Sequence, residues 1–318
     1  MFLKKAPKNT PVSFISFICY YDSMYRDQFR KNFIFAGLLA LLLAAPLSAG
    51  ERLSDYTLRK YQDFTGNRIR WTCITDNNVI LKEIDAFIAD VYRNLPFKAL
   101  DYEQEKLFWE SNYQVETFCY VFAVEGLDLK QVRLALKELM QKDEAYISSH
   151  EKMKGTNGGV APQMYILTSD VTSCYMSFSV ASAMFHGMRV KGLYAAALKK
   201  APTLWNANTG MGQWLYYAPG IFGGGLKKAA KYFQAAYDGA TDDCDRFFTS
   251  VYLSQIRFEE GNTAECARYL AEAEAICPES HHVKNVRRQN AKGKSLFYYN
   301  RHRSGVDDNS DPDATELN

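Results

Sequence analysis

The stretch Thr263–Pro278 reads TAECARYLAEAEAICP, and its spacing decides how the rest of the chain is read. Cys266, Leu270 and Ala273 recur at gaps of four and three, one face of a helix, and Pro278 stands where that helix must end. A small residue, a large apolar one, a second small one and a terminating proline are what a helix needs to lie close against a neighbour. The small positions let the two backbones approach, and the large one fills the gap to the next pair. Working backward, Ala229, Phe233 and Ala236 repeat the first three positions. Tyr194, Ala197 and Pro202 repeat the last three. Met211-Gly212, with Leu215 three residues after the glycine, marks an intervening helix that would be the first member of a pair.

These residues carry a resemblance. The segment from about residue 165 to 280 resembles tetratricopeptide repeats, whose second helix shows this small–large–Ala–Pro pattern and whose first helix carries a Leu-Gly pair followed by an aromatic. The spacing departs from the family's 34 residues: Ala197 to Ala236 is 39 and Ala236 to Ala273 is 37. The excess in the middle unit falls in the loop Ala218–Gly225, which also resembles repeat proteins of the periplasm, including the repeat-containing partners of TRAP-type solute transporters. The resemblance implies an all-α fold: antiparallel helix pairs stacked as a short α-solenoid, preceded by a helical N-terminal part. It also implies that the first helix of each pair lines a concave face. With Met211-Gly212 turned toward the neighbouring helix, Asn206, Thr209, Gln213, Tyr216 and Tyr217 face that concavity, Gln255 takes the matching place in the last unit, and Trp205 joins the tyrosines in an aromatic cluster as a further binding candidate. Aromatics and amides on a groove suit peptide or small-ligand capture; packing in the core is the other use of the tyrosines.

Upstream, Ile80, Leu81, Ile84, Phe87, Ile88 and Val91 form one apolar stripe behind Asp76 or Asn77 as cap, and Pro96 closes the helix. Two further helices are expected over about Tyr102–Val124 and from Asp128 to about Tyr146. The domain plan is therefore an N-terminal helical region at 51–152, a Gly-rich loop at 153–162, repeats at 163–300 and a disordered acidic tail at 301–318.

Residues 1–50 read as an export signal. Arg30-Lys31 precede the thirteen-residue apolar run Phe33–Ala45, followed by Pro46 and the small residues Ser48, Ala49 and Gly50. The run is short of the ~20 residues a membrane span needs. Met24 offers an alternative start that would give the signal its usual length. The expected protein is periplasmic or secreted, with no integral membrane span once the signal is cleaved. Beyond residue 50 the chain holds 32 basic and 34 acidic residues, about −2 net. That balance provides no general attraction to nucleic acid. Six cysteines follow the leader. Cys244 lies 17 residues before Gly261 and Cys277 lies 16 after it, so a turn at Gly261 brings both to the open end of one helix pair. A disulfide there would contribute about 3–4 kcal/mol; six free thiols is the alternative.

Catalytic patterns are weak. Ser149-His150-Glu151-Lys152 matches S-x-x-K without companion motifs, and the glycines at 155–159 lack the Gly-Lys-Ser/Thr of a phosphate loop. His281-His282 reads as a solvated pair, Asp242, Asp243 and Asp245 as a helix cap, and Gly223–Gly225 as a tight turn. No enzyme activity, cofactor or metal is expected. The first functional expectation is a scaffold that binds a protein or peptide partner of the cell envelope through its concave face. The alternative is a periplasmic small-ligand carrier or accessory subunit of a solute transporter, for which a closed pocket would be the signature.

Overall fold

In a computed structural model, the structure describes residues 52–96, 101–121, 128–151 and 159–298, and among these it is all-helical. The expected signal, most of the Gly-rich loop and the acidic tail lie outside the described residues. The helices are α1 (Asp55–Trp71), α2 (Asn77–Asn94), α3 (Tyr102–Val121), α4 (Leu129–Glu151), α5 (Pro162–Met176), α6 (Val180–Lys200), α7 (Trp205–Tyr217), α8 (Leu226–Asp238), α9 (Asp243–Glu259), α10 (Thr263–Ile276) and α11 (His281–Ala291). A 3-10 turn, Gly220–Phe222, links α7 to α8.

Successive helices pack as adjacent pairs, α5 with α6, α7 with α8 and α9 with α10. The small–large–small positions are the contacts: Ala197, Ala229, Phe233, Ala236, Cys266, Leu270 and Ala273 are all buried. Gly212 shows why no side chain is admitted on the facing helix, since a Cβ there would stand 3.0 Å from the Phe233 ring. The inner members of the pairs differ in kind from the outer ones. α5 buries Thr168, Thr172 and Ser173, whose hydroxyls bond back to the carbonyls of Met164, Thr168 and Ser169, so a central helix can carry polar residues without orphaning them. α9 is buried continuously from Phe247 to Ile256. The outer α8 is strongly amphipathic, with its alanines and Phe233 inward and Lys227, Lys228 and Lys231 in water.

The N-terminal helices form their own aromatic core: Phe64 packs against Trp71, Phe87 and Trp109 at centroid distances of 5.6, 5.4 and 6.0 Å. α1 was not evident from apolar periodicity. Its start is marked locally instead, by Ser54 accepting from the Thr57 N–H and Asp55 in the first turn. As expected, Asp76 caps α2, accepting from the Asn78 N–H. α4 runs on to Glu151, five residues past the expected end.

Two long-range dockings complete the fold. At the end of α1, the Thr72 hydroxyl meets that of Ser280 at 3.1 Å, and Thr72 O accepts from the His281 N–H at 3.2 Å. After α11, Leu296 and Phe297 turn back into the repeats and are buried there. Among the described residues, no helix is long and apolar enough to cross a membrane.

Candidate functional site

The inner helices α5, α7 and α9 meet α1 and α3 around a partly open chamber lined by both polar and apolar side chains. Its walls come from Tyr61 and Arg68 of α1, Asn112 and Glu116 of α3, Asp170 of α5, Tyr194 of α6, Trp205, Asn206, Thr209 and Gln213 of α7, and Tyr252 of α9. The chamber has a volume of about 50 Å³, room for roughly four water molecules.

Of its charged groups, Arg68 and Glu116 are buried and Asp170 is half-buried. Arg68 Nε lies 2.8 Å from Glu116 Oε2, each residue less than a tenth exposed. The Arg68 guanidinium also stands 5.6 Å from the centre of the Phe248 ring. Burial pushes the Glu116 carboxyl up to about 7, with Arg68 holding it back from going higher. Asp170 accepts from the Tyr194 hydroxyl at 2.5 Å; burial raises it to about 7 as well, against the opposing pull of Tyr194 and Arg68. One guanidinium and two carboxyls that titrate near neutrality thus share one recessed space. Such groups sit there because six helices converge, and each carries its polar residue on the face that its apolar neighbours leave inward.

Gly210 makes the Asp170–Tyr194 contact possible. A Cβ at Gly210 would lie 2.3 Å from the Tyr194 ring, so α7 lies against that ring through bare backbone. Thr209, one residue earlier, lines the chamber with a buried hydroxyl that has no hydrogen-bond partner. A buried hydroxyl without a partner costs about 1–3 kcal/mol, so a group supplied from within the chamber would relieve it. Trp205 stacks on Phe248 at 6.4 Å and closes one side.

Of the binding residues proposed from sequence, the structure brings Trp205, Asn206, Thr209 and Gln213 together in this chamber. Tyr216, Tyr217 and Gln255 are elsewhere. Tyr216 and Tyr217 pack on Phe297 at 4.6 and 6.3 Å. Gln255 is wholly buried; its amide oxygen accepts from the Leu296 N–H at 2.9 Å and from Asn290 Nδ2 at 2.9 Å. These three hold the returning C-terminal segment. Arg68, Glu116 and Asp170 carry no motif, because they lie on three helices with more than forty residues between successive members.

The other candidates resolve simply. No disulfide joins any two of Cys73, Cys119, Cys174, Cys244, Cys266 and Cys277 in the structure. Cys277, buried at the end of α10, and Cys244, in the first turn of α9, are accordingly not bonded to each other here. His282 is buried rather than solvated, and burial lowers it to about 4. Asp242 caps α9, accepting from the Asp245 N–H. The Gly224 and Gly225 N–H groups are spent on Pro219 O and Leu215 O, as a tight turn requires. Among the described residues, no three His, Cys, Asp or Glu stand together as a metal site.

No protein-family model matches this chain, and no curated protein sequence is significantly similar to it.

Proposed function

We propose that this chain is an exported tetratricopeptide-like carrier of a small polar solute, held in the chamber between its N-terminal helices and its repeats. The observation that carries the reading is the recessed set Arg68, Glu116, Asp170 and Thr209, three ionisable groups and an unpartnered hydroxyl facing one space. A packed structural core gains nothing from such groups, because each costs desolvation that apolar residues would not. A protein- or peptide-binding scaffold, the first expectation from the repeat pattern, needs its inner face open. α1 and α3 lie on that face, which favours the small solute. Export, and a place beside a solute transporter in the cell envelope, belong to the same proposal and rest on the signal-like residues 30–50.

The test is direct. Protein purified without denaturation is extracted, and the extract is analysed by mass spectrometry for a retained solute. In parallel, a panel of amino acids, organic acids, amines and sugars is screened by thermal shift. A stoichiometric solute, or a panel member that raises the melting temperature, is the expected result. Thr209→Val gives the diagnostic contrast: removing an unpartnered hydroxyl stabilises the empty protein while weakening the solute-induced shift. An empty extract together with a flat panel would end the proposal. Export is read separately, from the mass of the mature form: a chain beginning at Glu51 is expected, and one retaining residues 33–45 refutes cleavage.

A further inference from the structure

Between Asp170 and Asp238 the sequence contains no acidic residue, yet it holds seven Lys/Arg. The chain beyond residue 50 is close to neutral, so this basicity is local: the remainder of that body has 25 basic and 34 acidic residues. The same segment carries the most exposed large apolar side chains among the described residues. Ile221 is 88% exposed, Phe185 84%, Met184 74% and Met188 54%, and Phe222 is exposed beside them in sequence.

These residues come from two elements that the fold sets side by side. Met184, Phe185 and Met188 occupy the N-terminal half of α6, while Ile221 and Phe222 lie in the 3-10 turn after α7. Trp214 near the end of α7 donates to Gly187 O at 2.7 Å, which fixes that end of α7 against α6 between Phe185 and Met188. Lys191 Nζ stands 4.6 Å from the centre of the Trp214 ring and 3.6 Å from where a Cβ of Gly223 would be, so α6 touches the turn itself. Lys227 and Lys228 follow in the first turn of α8, with Lys228 Nζ donating to Gly223 O. Apolar tips and lysines therefore share one end of the α6–α7–α8 layer.

We propose that this end docks on an anionic lipid bilayer surface, with Phe185, Met188, Ile221 and Phe222 entering the headgroup boundary and Lys191, Lys227 and Lys228 meeting lipid phosphates. Three arguments select lipid. Aromatic and aliphatic side chains interleaved with lysine match an interfacial surface, where lysine stems reach past the apolar groups toward the headgroups. Each basic group near an anionic surface adds attraction that acidic neighbours would cancel; the segment itself holds none, and Glu144 of α4 is paired with Arg189 at 2.9 Å, so the attraction rests on the lysines. A protein interface, by contrast, is depleted of lysine at its core. The docking is peripheral, and it stands or falls independently of any solute in the chamber.

The experiment is hydrogen–deuterium exchange on the protein as isolated from cells, mixed with vesicles of phosphatidylcholine alone or with added phosphatidylglycerol. Peptide resolution separates this face from any contribution of the N-terminal leader. Exchange in peptides covering 181–191 and 218–228 is expected to slow with the anionic vesicles, and the slowing is expected to fade as salt is raised. Phe185→Ser with Ile221→Ser removes it. Lys227→Glu with Lys228→Glu, at positions that face water, weakens vesicle affinity by roughly tenfold or more and serves if the first variant loses its helicity. The proposal is overturned if these peptides do not respond to anionic vesicles, respond equally to neutral ones, or keep their response in the lysine variant. Slowing that depends on protein concentration without vesicles also overturns it, since the occupant would then be a second copy of this chain.

Discussion

The hydroxyls of Thr72 and Ser280, 208 residues apart in sequence, meet at 3.1 Å where neither residue touches solvent. This contact, with the His281 N–H donating to Thr72 O and the Cys73 thiol donating to Glu279 O at 2.9 Å, ties the end of the first helix to the last turn of the repeats. A plain stack of helix pairs has only neighbour contacts and is stabilised unit by unit. Here the two ends of the described chain are joined, and the inner face becomes the wall of a chamber.

The first prediction follows from the two roles of Ser280. Its oxygen also caps α11, accepting from the Val283 N–H. Thr72→Val loses the hydroxyl pair alone and should cost about 1 kcal/mol. Ser280→Ala loses the pair and the cap, adding about another 1 kcal/mol. Urea unfolding of the two variants measures the gap; equal costs would show that the hydroxyl contact contributes nothing beyond the cap.

Arg68 and Glu116 give a pH-dependent prediction. The folded Glu116 carboxyl lies at about 7, above its ordinary 4.5. Its contribution to stability is therefore complete below about pH 4.5 and is lost as pH rises through 7. Arg68→Met frees the Glu116 carboxyl to rise further, so that it stays protonated at pH 8 where the parent's is mostly ionised. The cost of the substitution should therefore be about 1–2 kcal/mol larger at pH 8 than at pH 5. Adding Glu116→Gln should restore much of the loss at pH 8. A cost that is the same at both pH values would mean that the pair is not buried as described.

Asp143 is the cleaner titration. It is fully buried, accepts from the Ser111 hydroxyl at 2.9 Å, and has a second oxygen without a partner. Burial raises its carboxyl from 3.8 to about 8. The parent protein should thus lose stability relative to Asp143→Asn as pH rises from about 4 through 8, with the variant ahead at pH 9. Thermal melts across that range test the sign. A parent that gains on the variant with rising pH would contradict it.

Two glycines in neighbouring helices should respond oppositely to alanine. Gly192, inside α6, has open space around a would-be Cβ, so Gly192→Ala should stabilise by about 0.5–1 kcal/mol. At Gly210 the Cβ would meet the Tyr194 ring at 2.3 Å. Gly210→Ala should cost about 1–3 kcal/mol and pull Tyr194 from Asp170, weakening any solute-induced shift as well. Calorimetry of the pair checks both directions, and a neutral Gly210→Ala would show that the ring yields freely.

Much of the fold was legible along the chain because its signals are local. Asp76 caps its helix, Pro202 and Pro278 follow helix ends, and the spacing Cys266–Leu270–Ala273 puts three residues on one face whatever surrounds them. Ser54-Asp55 marked α1 just as locally, but α1 lacks a regular apolar stripe because it packs against α2, α3 and α9 with different sides. The site was legible by half. Periodicity assigns Trp205, Thr209, Gln213, Tyr216 and Tyr217 to one helix, yet it cannot say what covers each side of that helix. The returning Phe297 took Tyr216 and Tyr217 into the core, and α1 and α3 took the rest into a chamber.

The sequence by itself determined the helices, their pairing and the small residues at which they touch, since each follows from backbone capping and a period of 3.6 residues. Tertiary structure alone decided that Arg68, Glu116 and Asp170 share one recessed space. The physical reason is that burial, and with it the desolvation that moves both carboxyls toward neutrality, depends on how distant segments dock, and a helical period carries no record of that.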